Sequence, residues 1–217
     1  GRSVDTFGIT YSQSDIELND ELNKDIWLLD FNNKSLNSGA LNYISYGEIN
    51  EQNKGYKLKI RNKWYEIPSI WVPDAFLLRR IGQYPKLIQN LSQAVSTDTF
   101  HRLKIENSSC YSIEELIFLF YSSPAMLSVE LEGRVFGGGA LEILPGDLKN
   151  VRIPMIKGLK NISELFKQLD SKFRDNESIY NIVKWVDEQL LLSGQTDIDL
   201  NMTYLAWSKK NINRYSK

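Results

Sequence analysis

The change in pattern that decides the fold lies in the stretch Ser112-Ile113-Glu114-Glu115-Leu116-Ile117-Phe118-Leu119-Phe120-Tyr121-Ser122-Ser123-Pro124. Ser112 with Glu115 three positions later is a capping box, and apolar residues follow it at helical spacing. Ser123 followed by Pro124 fits an N-cap with proline at the first helical position. We therefore predict two helices over about residues 113–132.

The residues after this stretch also show helical spacing. It covers the ranges 162–174, 178–193 and 198–213, with a box-like start at Asn161 and Glu164 and a helix stop at Gly194. These patterns predict a small helical bundle over residues 161–217.

The residues before the stretch show shorter patterns. Basic and apolar residues alternate from Tyr56 to Ile60, and a stretch of aromatic character follows from Trp64 to Ile67, which predicts a hairpin or a pair of strands with one cationic face. Isolated prolines favour short strands joined by turns; they are Pro68, Pro73 and Pro85. We therefore predict an α+β fold, with a β-rich portion followed by an α-helical C-terminal bundle. The mixed β/α portion spans residues 1–160 and includes a basic β region at about 54–104.

The bulk composition is that of a globular protein. Hydrophobic residues make up 42% and charged residues 24% of the chain, which excludes disorder over most of its length. Cys110 is the single cysteine, and the first residues do not resemble a secretion signal, so we expect a cytoplasmic location. The longest apolar run, Leu116–Tyr121, is too short to cross a membrane, so we expect no membrane partner.

Charge is unevenly distributed along the chain. Residues 1–53 carry three basic and nine acidic residues, whereas residues 54–104 carry ten basic and three acidic residues, a net charge of +7. A basic segment beside acidic ones is typical of a local nucleic-acid contact surface, although a solvated charged face gives the same pattern. If the first interpretation is right, residues 54–104 form one continuous basic surface.

The sequence lacks the residues of several kinds of active site. All six prolines are isolated, so the Pro-Pro loop with which amino-methyltransferases hold a flipped base is absent. The glycine run Gly137–Gly139 lies between a predicted helix and a predicted strand, a context that does not fit a nucleotide cradle. One histidine and one cysteine give no metal-binding spacing, and no suitably placed acid-x-lysine follows Pro73-Asp74 within the next thirty or so residues to complete a nuclease motif. We therefore predict no catalytic, cofactor-binding or metal-binding residue here.

Four blocks of sequence follow one another in the order found in one group of enzymes. They are Tyr56-Lys57-Leu58-Lys59-Ile60-Arg61-Asn62-Lys63-Trp64-Tyr65-Glu66-Ile67-Pro68 with Val72-Pro73-Asp74-Ala75-Phe76-Leu77; Pro85-Lys86-Leu87-Ile88-Gln89-Asn90; Ser96-Thr97-Asp98-Thr99-Phe100-His101-Arg102; and Gly133-Arg134-Val135-Phe136-Gly137-Gly138-Gly139-Ala140-Leu141-Glu142-Ile143-Leu144-Pro145, continuing to Pro154. Together they resemble the C-terminal recognition region of adenine methyltransferases from restriction-modification systems, of the gamma-ordered, TaqI-like and type IIG group.

The resemblance implies a function. In such enzymes the catalytic and S-adenosylmethionine motifs precede the recognition region, so this segment would recognise double-stranded DNA for an adenine-N6 methyltransferase without being an enzyme itself. Its partners would be double-stranded DNA and the catalytic methyltransferase domain of the same polypeptide. The alternative is a helical and β protein-interaction module of a multidomain restriction-modification protein, in which the acidic first fifty residues and the C-terminal bundle bind protein.

The candidate DNA-contact residues are mostly cations, because cations fix register on phosphates while a few side chains contact base edges. They are Lys57, Lys59, Arg61, Lys63, Arg79, Arg80 and Arg102, with Trp64, Tyr65, Thr97, His101 and Gly138 beside them. Each also has a structural interpretation. Surface arginines are often only solvated, one of the two aromatic residues is expected in a core, the histidine can be hydrogen-bonded inside the fold, and the glycine can serve a tight connection.

Overall fold

The computed structural model describes residues 5–32, 35–156, 159–194 and 196–216. The chain forms two compact units: the smaller unit is Asn23–Trp71, and the larger unit combines Gly1–Leu22 with Val72–Lys217. In the sequence, the smaller unit is therefore an insertion between two segments that form the larger unit. This division differs from the predicted one at residue 160, because the C-terminal helices share a single hydrophobic core with the strands that precede them.

One sheet of the larger unit has four strands. They are β1 (Thr10–Tyr11), β2 (Ala75–Leu78), β4 (Leu87–Asn90) and β5 (Phe100–Leu103), in the spatial order β1, β4, β2, β5. β1 runs parallel to β4, while β2 is antiparallel to both β4 and β5. Every residue of β2 is buried, which places the middle of this sheet inside the core.

The second sheet of the larger unit has three short antiparallel strands. They are β3 (Arg80–Ile81), β6 (Arg134–Val135) and β7 (Leu141–Glu142), in the order β3, β7, β6. Ile81 lies opposite Leu141, and both side chains are buried in the core. Neighbouring residues of a strand point to opposite faces, so Arg80 beside Ile81 and Glu142 beside Leu141 face away from the core.

Helices cover most of the rest of the larger unit. They are α1 (Gln13–Glu21), α4 (Ile113–Phe120), α5 (Ser123–Glu132), α6 (Pro145–Leu148), α7 (Ile162–Arg174), α8 (Ile179–Ser193) and α9 (Leu200–Tyr215). The α+β fold with C-terminal helices and the two helices predicted over 113–132 are confirmed. None of the helices in the described ranges is long and apolar enough to cross a membrane.

The helix ends show why these elements were predictable. Ser112 accepts a hydrogen bond from the backbone N–H of Glu115, and the Glu115 carboxylate accepts one from the backbone N–H of Ser112. Gly194 ends α8 with a φ of 66°, a conformation that favours glycine. Both signals depend only on residues a few positions apart, so the sequence shows them directly.

A polar network fixes the first strand onto α7. The Asp170 carboxylate accepts hydrogen bonds from the backbone N–H groups of Ile9 and Thr10 at 2.8 and 2.9 Å. Arg174 pairs with Asp170 at 2.6 Å and with Asp15 of α1 at 2.7 Å. The N-terminal segment therefore belongs to the same folded unit as the C-terminal helices.

The smaller unit is helical, so the hairpin predicted over residues 56–67 is wrong. It contains α2 (Ser38–Ile49), a 3₁₀ turn at Gln52–Lys54 and the one-turn helix α3 (Tyr56–Lys59). Alternation over five residues does not separate a strand from a single helical turn. Here Leu58 is half-buried while Ile60 is 74% exposed, so the alternating residues form no common apolar face.

The aromatic residues of the smaller unit pack against one another. Tyr65 contacts the rings of Trp64 and Phe31 edge to face, with centroids 5.9 and 6.2 Å apart. Trp64 also donates a hydrogen bond to Glu48 of α2. Trp64 and Tyr65 are both half-buried, so the structure does not bury one of them in a core as expected.

Candidate functional site

The outward face of the three-stranded sheet carries a row of charged side chains. Arg80 of β3 and Arg134 of β6 both lie opposite Glu142 of the central strand β7. Directly opposite residues in antiparallel strands point to the same face, so the three side chains form the sequence arginine, glutamate, arginine across the sheet. The Arg80 side chain is 86% exposed and that of Arg134 is 60% exposed, whereas Glu142 is only 13% exposed.

Arg79 lies where the chain passes from the first sheet to the second. Its backbone N–H donates to Thr99 beside β5, and its carbonyl accepts from the N–H of Ile143 beside β7. Its Nε lies 3.0 Å from Oε1 of Glu142, as an ion pair rather than an aligned hydrogen bond, and this nitrogen is buried. The same carboxylate oxygen is 3.9 Å from Nε of Arg80. The two predicted arginines therefore converge on one glutamate.

Two glycine-containing loops meet at the end of this sheet. The guanidinium of Arg214 on α9 donates through Nη1 to the carbonyl oxygens of both Gly82, after β3, and Gly139, before β7. Gly139 has a φ of 73°, and its α-carbon faces the backbone of Arg214 so closely that a side chain would overlap it. Gly137 and Gly138 are exposed, and no atom lies within 4 Å of where their Cβ would be. In this glycine run, Gly139 is therefore packed against α9, while Gly137 and Gly138 are exposed to solvent.

The other candidates of the larger unit lie on or just before β5. His101 Nε2 is 2.7 Å from the backbone oxygen of Ile143, a geometry that fits the structural interpretation of a hydrogen-bonded histidine. Arg102 is half-buried and lies opposite Phe76 of β2. Thr97 is exposed, with its hydroxyl 3.4 Å from that of Thr99.

The remaining cationic candidates belong to the smaller unit. Lys57 and Lys59 are exposed on α3. Arg61 donates to the backbone oxygens of Trp64 and Glu66, so its guanidinium holds the loop after α3. Lys63 pairs with Glu66 at 2.9 Å, and this hydrogen bond raises the pKa of the lysine.

The basic residues of the segment 54–104 are divided between the two units, and several are engaged within the protein. Lys54 pairs with Glu51 in the smaller unit, and Lys104 pairs with Asp74 in the larger one. Lys86 donates to the backbone oxygen of Thr6, and burial lowers its pKa. The net charge of +7 is therefore no measure of the free positive charge at any one surface.

Two residues of this sheet face were not among the sequence-derived candidates. Arg134 and Glu142 are 8 positions apart on two strands of a hairpin, and both are far from Arg80 in sequence. Pairing between strands brings them together, which no local pattern reveals. The available signal was the block from Gly133 to Leu144, where the two charged residues flank the exposed glycines.

The glycine run does not fit a cofactor cradle. It joins the antiparallel strands β6 and β7, whereas a phosphate-binding turn leads from a strand into the N-terminus of a helix. The space beside the Gly139 α-carbon is also occupied by the backbone of α9, which leaves no room for a ligand there. Within the described ranges, no three side chains of histidine, cysteine, aspartate or glutamate lie close enough together to hold a metal ion.

Comparison with known proteins gives one family. The family model of the type II methyltransferase M.Eco57I C-terminal domain matches residues 1–191, which is most of the chain. Searches of curated proteins and of solved structures gave no significant match. The family match confirms the resemblance to the C-terminal region of restriction-modification methyltransferases. The matched range ends within α8, so α9 lies beyond it.

Proposed function

Because the chain belongs to the M.Eco57I C-terminal domain family of type II methyltransferases, we propose that it recognises a specific sequence of double-stranded DNA for an adenine-N6 methyltransferase. In this proposal another part of the enzyme binds S-adenosylmethionine and transfers the methyl group. The three-stranded sheet with its two arginine-bearing edges is the DNA-contact surface, in a cytoplasmic protein.

The single observation that carries this proposal is the row Arg80, Glu142, Arg134 on the outward face of that sheet. Cationic side chains that remain exposed on a folded sheet are available for phosphates, which together with the sugars receive about half or more of all protein hydrogen bonds to DNA. The two outer residues of the row have exposed side chains, and its inner residue limits their mutual repulsion. The row is attached to the core through Ile81 and Leu141, so its geometry is fixed before any ligand binds.

The shape of this region also suits a duplex. Short antiparallel strands can enter the major groove, which is wide enough for a two-stranded ribbon and presents a distinct pattern for each base pair. Gly137 and Gly138 expose bare backbone at the end of the sheet, where N–H groups can approach a phosphate without hindrance from a side chain.

The proposal is tested by selection from a random duplex library, in which bound duplexes are recovered and sequenced over several rounds. We expect enrichment of one motif that contains an adenine, and binding that weakens steeply as salt concentration rises. A chain that carries Arg80→Ala together with Arg134→Ala should lose most affinity while it unfolds at the same urea concentration. Recovery of random sequences, or unchanged binding by the double variant, would refute the proposal.

A second candidate function has its own supporting observation. The outer surface of α9 exposes Met202 and Leu205, which are 70% and 67% exposed, and Leu192 at the end of α8 is 81% exposed. Met202 and Leu205 are three positions apart on α9 and therefore lie on one face of the helix, and a contiguous exposed apolar patch is typical of surfaces that bind protein. A contact with the catalytic domain of the same polypeptide would cover them. Substituting Met202 and Leu205 by glutamine should then weaken association with that domain and leave DNA selection unchanged.

A further inference from the structure

We propose that Arg79 recognises a guanine, that Glu142 positions it, and that Arg80 and Arg134 hold phosphates; this division of roles rests on the proposed function. It separates two neighbouring arginines that are indistinguishable in the sequence. The argument depends on how firmly each guanidinium is held by the protein before DNA arrives.

The backbone of Arg79 is fixed from both sides. Its N–H bonds to Thr99 and its carbonyl accepts from Ile143, so one residue joins the two sheets of the larger unit. Leu78 before it and Ile81 two positions later are buried in the core. Side chains on such a rigid scaffold keep their position with little loss of conformational freedom on binding, which is what base recognition requires.

The side chain of Arg79 is restrained by an ion pair with one buried end. Its Nε is buried 3.0 Å from the Glu142 carboxylate, without an aligned hydrogen bond, while the side chain as a whole is 39% exposed. A fork held at Nε in this way offers its two terminal nitrogens to a ligand. Two parallel N–H donors match the O6 and N7 acceptors of guanine, and this bidentate pair is the commonest specific contact in the major groove.

Glu142 acts through Arg79 and is therefore a positioning residue. Its side chain is 13% exposed and lies between three arginines, with a closest approach of 3.0 Å to Arg79. Removing its charge without changing its size frees the guanidinium of Arg79 to move and leaves the sheet in place. The expected loss is one of discrimination between bases, since the electrostatic attraction to phosphates increases when an acid is neutralised.

Arg80 and Arg134 are more exposed than Arg79. Arg80 is 86% exposed, and its Nε is 3.9 Å from the shared carboxylate oxygen, beyond hydrogen-bond distance. Arg134 is 60% exposed and donates a surface hydrogen bond to Asp147 at 3.1 Å, where water and phosphate compete with the carboxylate. Exposed cations at the two edges of the sheet suit phosphates, which bind positive charge in many geometries.

The test uses the motif recovered by selection with the unaltered chain. Binding is measured to that motif and to duplexes with one base pair changed at a time, at two salt concentrations. Arg79→Lys keeps the charge but not the fork, and we expect a loss of about 5- to 150-fold on the motif and relaxed discrimination at one guanine. Glu142→Gln should relax discrimination at the same guanine. Arg80→Ala and Arg134→Ala should weaken all duplexes alike and each reduce the slope of log affinity against log salt by about 1.

A change in the DNA isolates the proposed contact. Replacing that guanine by 7-deazaguanine removes the N7 acceptor, so the unaltered chain should bind the modified duplex more weakly than the motif. The Arg79→Lys variant should bind both duplexes with nearly the same affinity. The inference is overturned if Arg80, and not Arg79, sets discrimination, or if Glu142→Gln changes none. A wild-type chain that selects no motif contradicts the proposed function itself, and with it this inference. A motif selected with an unaffected Arg79→Lys contradicts the inference alone.

Discussion

Arg214 and Glu130 form a bidentate ion pair inside the larger unit, with Nε to Oε2 and Nη2 to Oε1 both at 2.8 Å. Their side chains are 3% and 1% exposed. The remaining donors of the guanidinium bind the backbone oxygens of Gly82, Gln83 and Gly139. One side chain of the last helix thus holds α5 and both loops at the end of the proposed recognition sheet.

We predict that Arg214→Met lowers the free energy of unfolding by about 3–5 kcal/mol, because it leaves the Glu130 carboxylate buried without its partner. Urea-induced unfolding followed by circular dichroism measures this change. The double variant Glu130→Leu with Arg214→Met should recover part of the loss, since no charge then stays buried.

The matched control is Arg174→Met. Arg174 pairs with two carboxylates, Asp15 and Asp170, which both keep hydrogen bonds from backbone N–H groups when the arginine is removed. We therefore expect a smaller loss than at Arg214. Equal losses in the two variants would show that these backbone hydrogen bonds do not compensate for the missing arginine.

The three consecutive glycines are predicted to respond differently to alanine. Gly139→Ala should cost about 2 kcal/mol or more, since it adds a clash with the α9 backbone to the strain of a φ of 73°. Gly138→Ala, at a φ of 74° in open space, should cost about 1 kcal/mol. Gly137→Ala should cost nothing measurable. The same unfolding experiment ranks the three, and any other order contradicts the structure of this loop.

The larger part of the helical fold was predictable because its signals are local. The box formed by Ser112 and Glu115 and the stop at Gly194 act over one turn of a helix, and long amphipathic repeats mark α7 to α9. The helix α2 has a single local signal, the N-cap Asn37, whose side chain accepts a hydrogen bond from the backbone N–H of Ala40. It contains Gly39 and Gly47, and tryptophan packing rather than intrinsic propensity makes the second of them favourable.

The candidate site was predictable only in part. Arg79 and Arg80 were identified as cations of the basic segment 54–104, whereas Glu142 and Arg134 depend on strand pairing over 54 to 62 positions of sequence. The density of charge along the sequence also overestimated the positive charge that is available to a ligand. Lys63, Lys86 and Lys104 contribute to the basic segment, yet each is bound to a partner inside the protein.

Asp187 gives a prediction about pH. Its carboxylate caps the start of α5 by accepting from the backbone N–H of Ser123 at 2.9 Å, and its second oxygen is buried without a hydrogen bond. Burial raises the pKa of Asp187 from 3.8 to about 6, although the bonds from Ser123 act in the opposite direction. The folded state therefore binds this proton more tightly than the unfolded state. Its stabilising effect is present below about pH 4 and is lost as pH rises to about 6.

We predict that Asp187→Asn, which cannot ionise, removes this dependence. The measurement is the difference in unfolding free energy between the variant and the unaltered chain. In this difference the pH-dependent contributions of the other carboxylates cancel, because both chains contain them. The difference should shift in favour of the variant by about 2 kcal/mol as pH rises from 4 to 6, and stay constant above pH 7. A difference that is flat with pH, or that moves the other way, would show that Asp187 ionises normally.

The last prediction concerns Gly47, whose α-carbon lies against the Trp64 ring. In an ordinary helix interior, glycine to alanine stabilises by about 0.5–1 kcal/mol. Here we expect Gly47→Ala to destabilise, because the added methyl displaces the ring and breaks the hydrogen bond from Trp64 to Glu48. Gly39→Ala in the same helix is the control, since its Cβ meets only the Asn37 side chain at 3.5 Å. Hydrogen exchange of the α2 amides measures both, and faster exchange in Gly39→Ala than in Gly47→Ala would contradict the packing of Trp64 on α2.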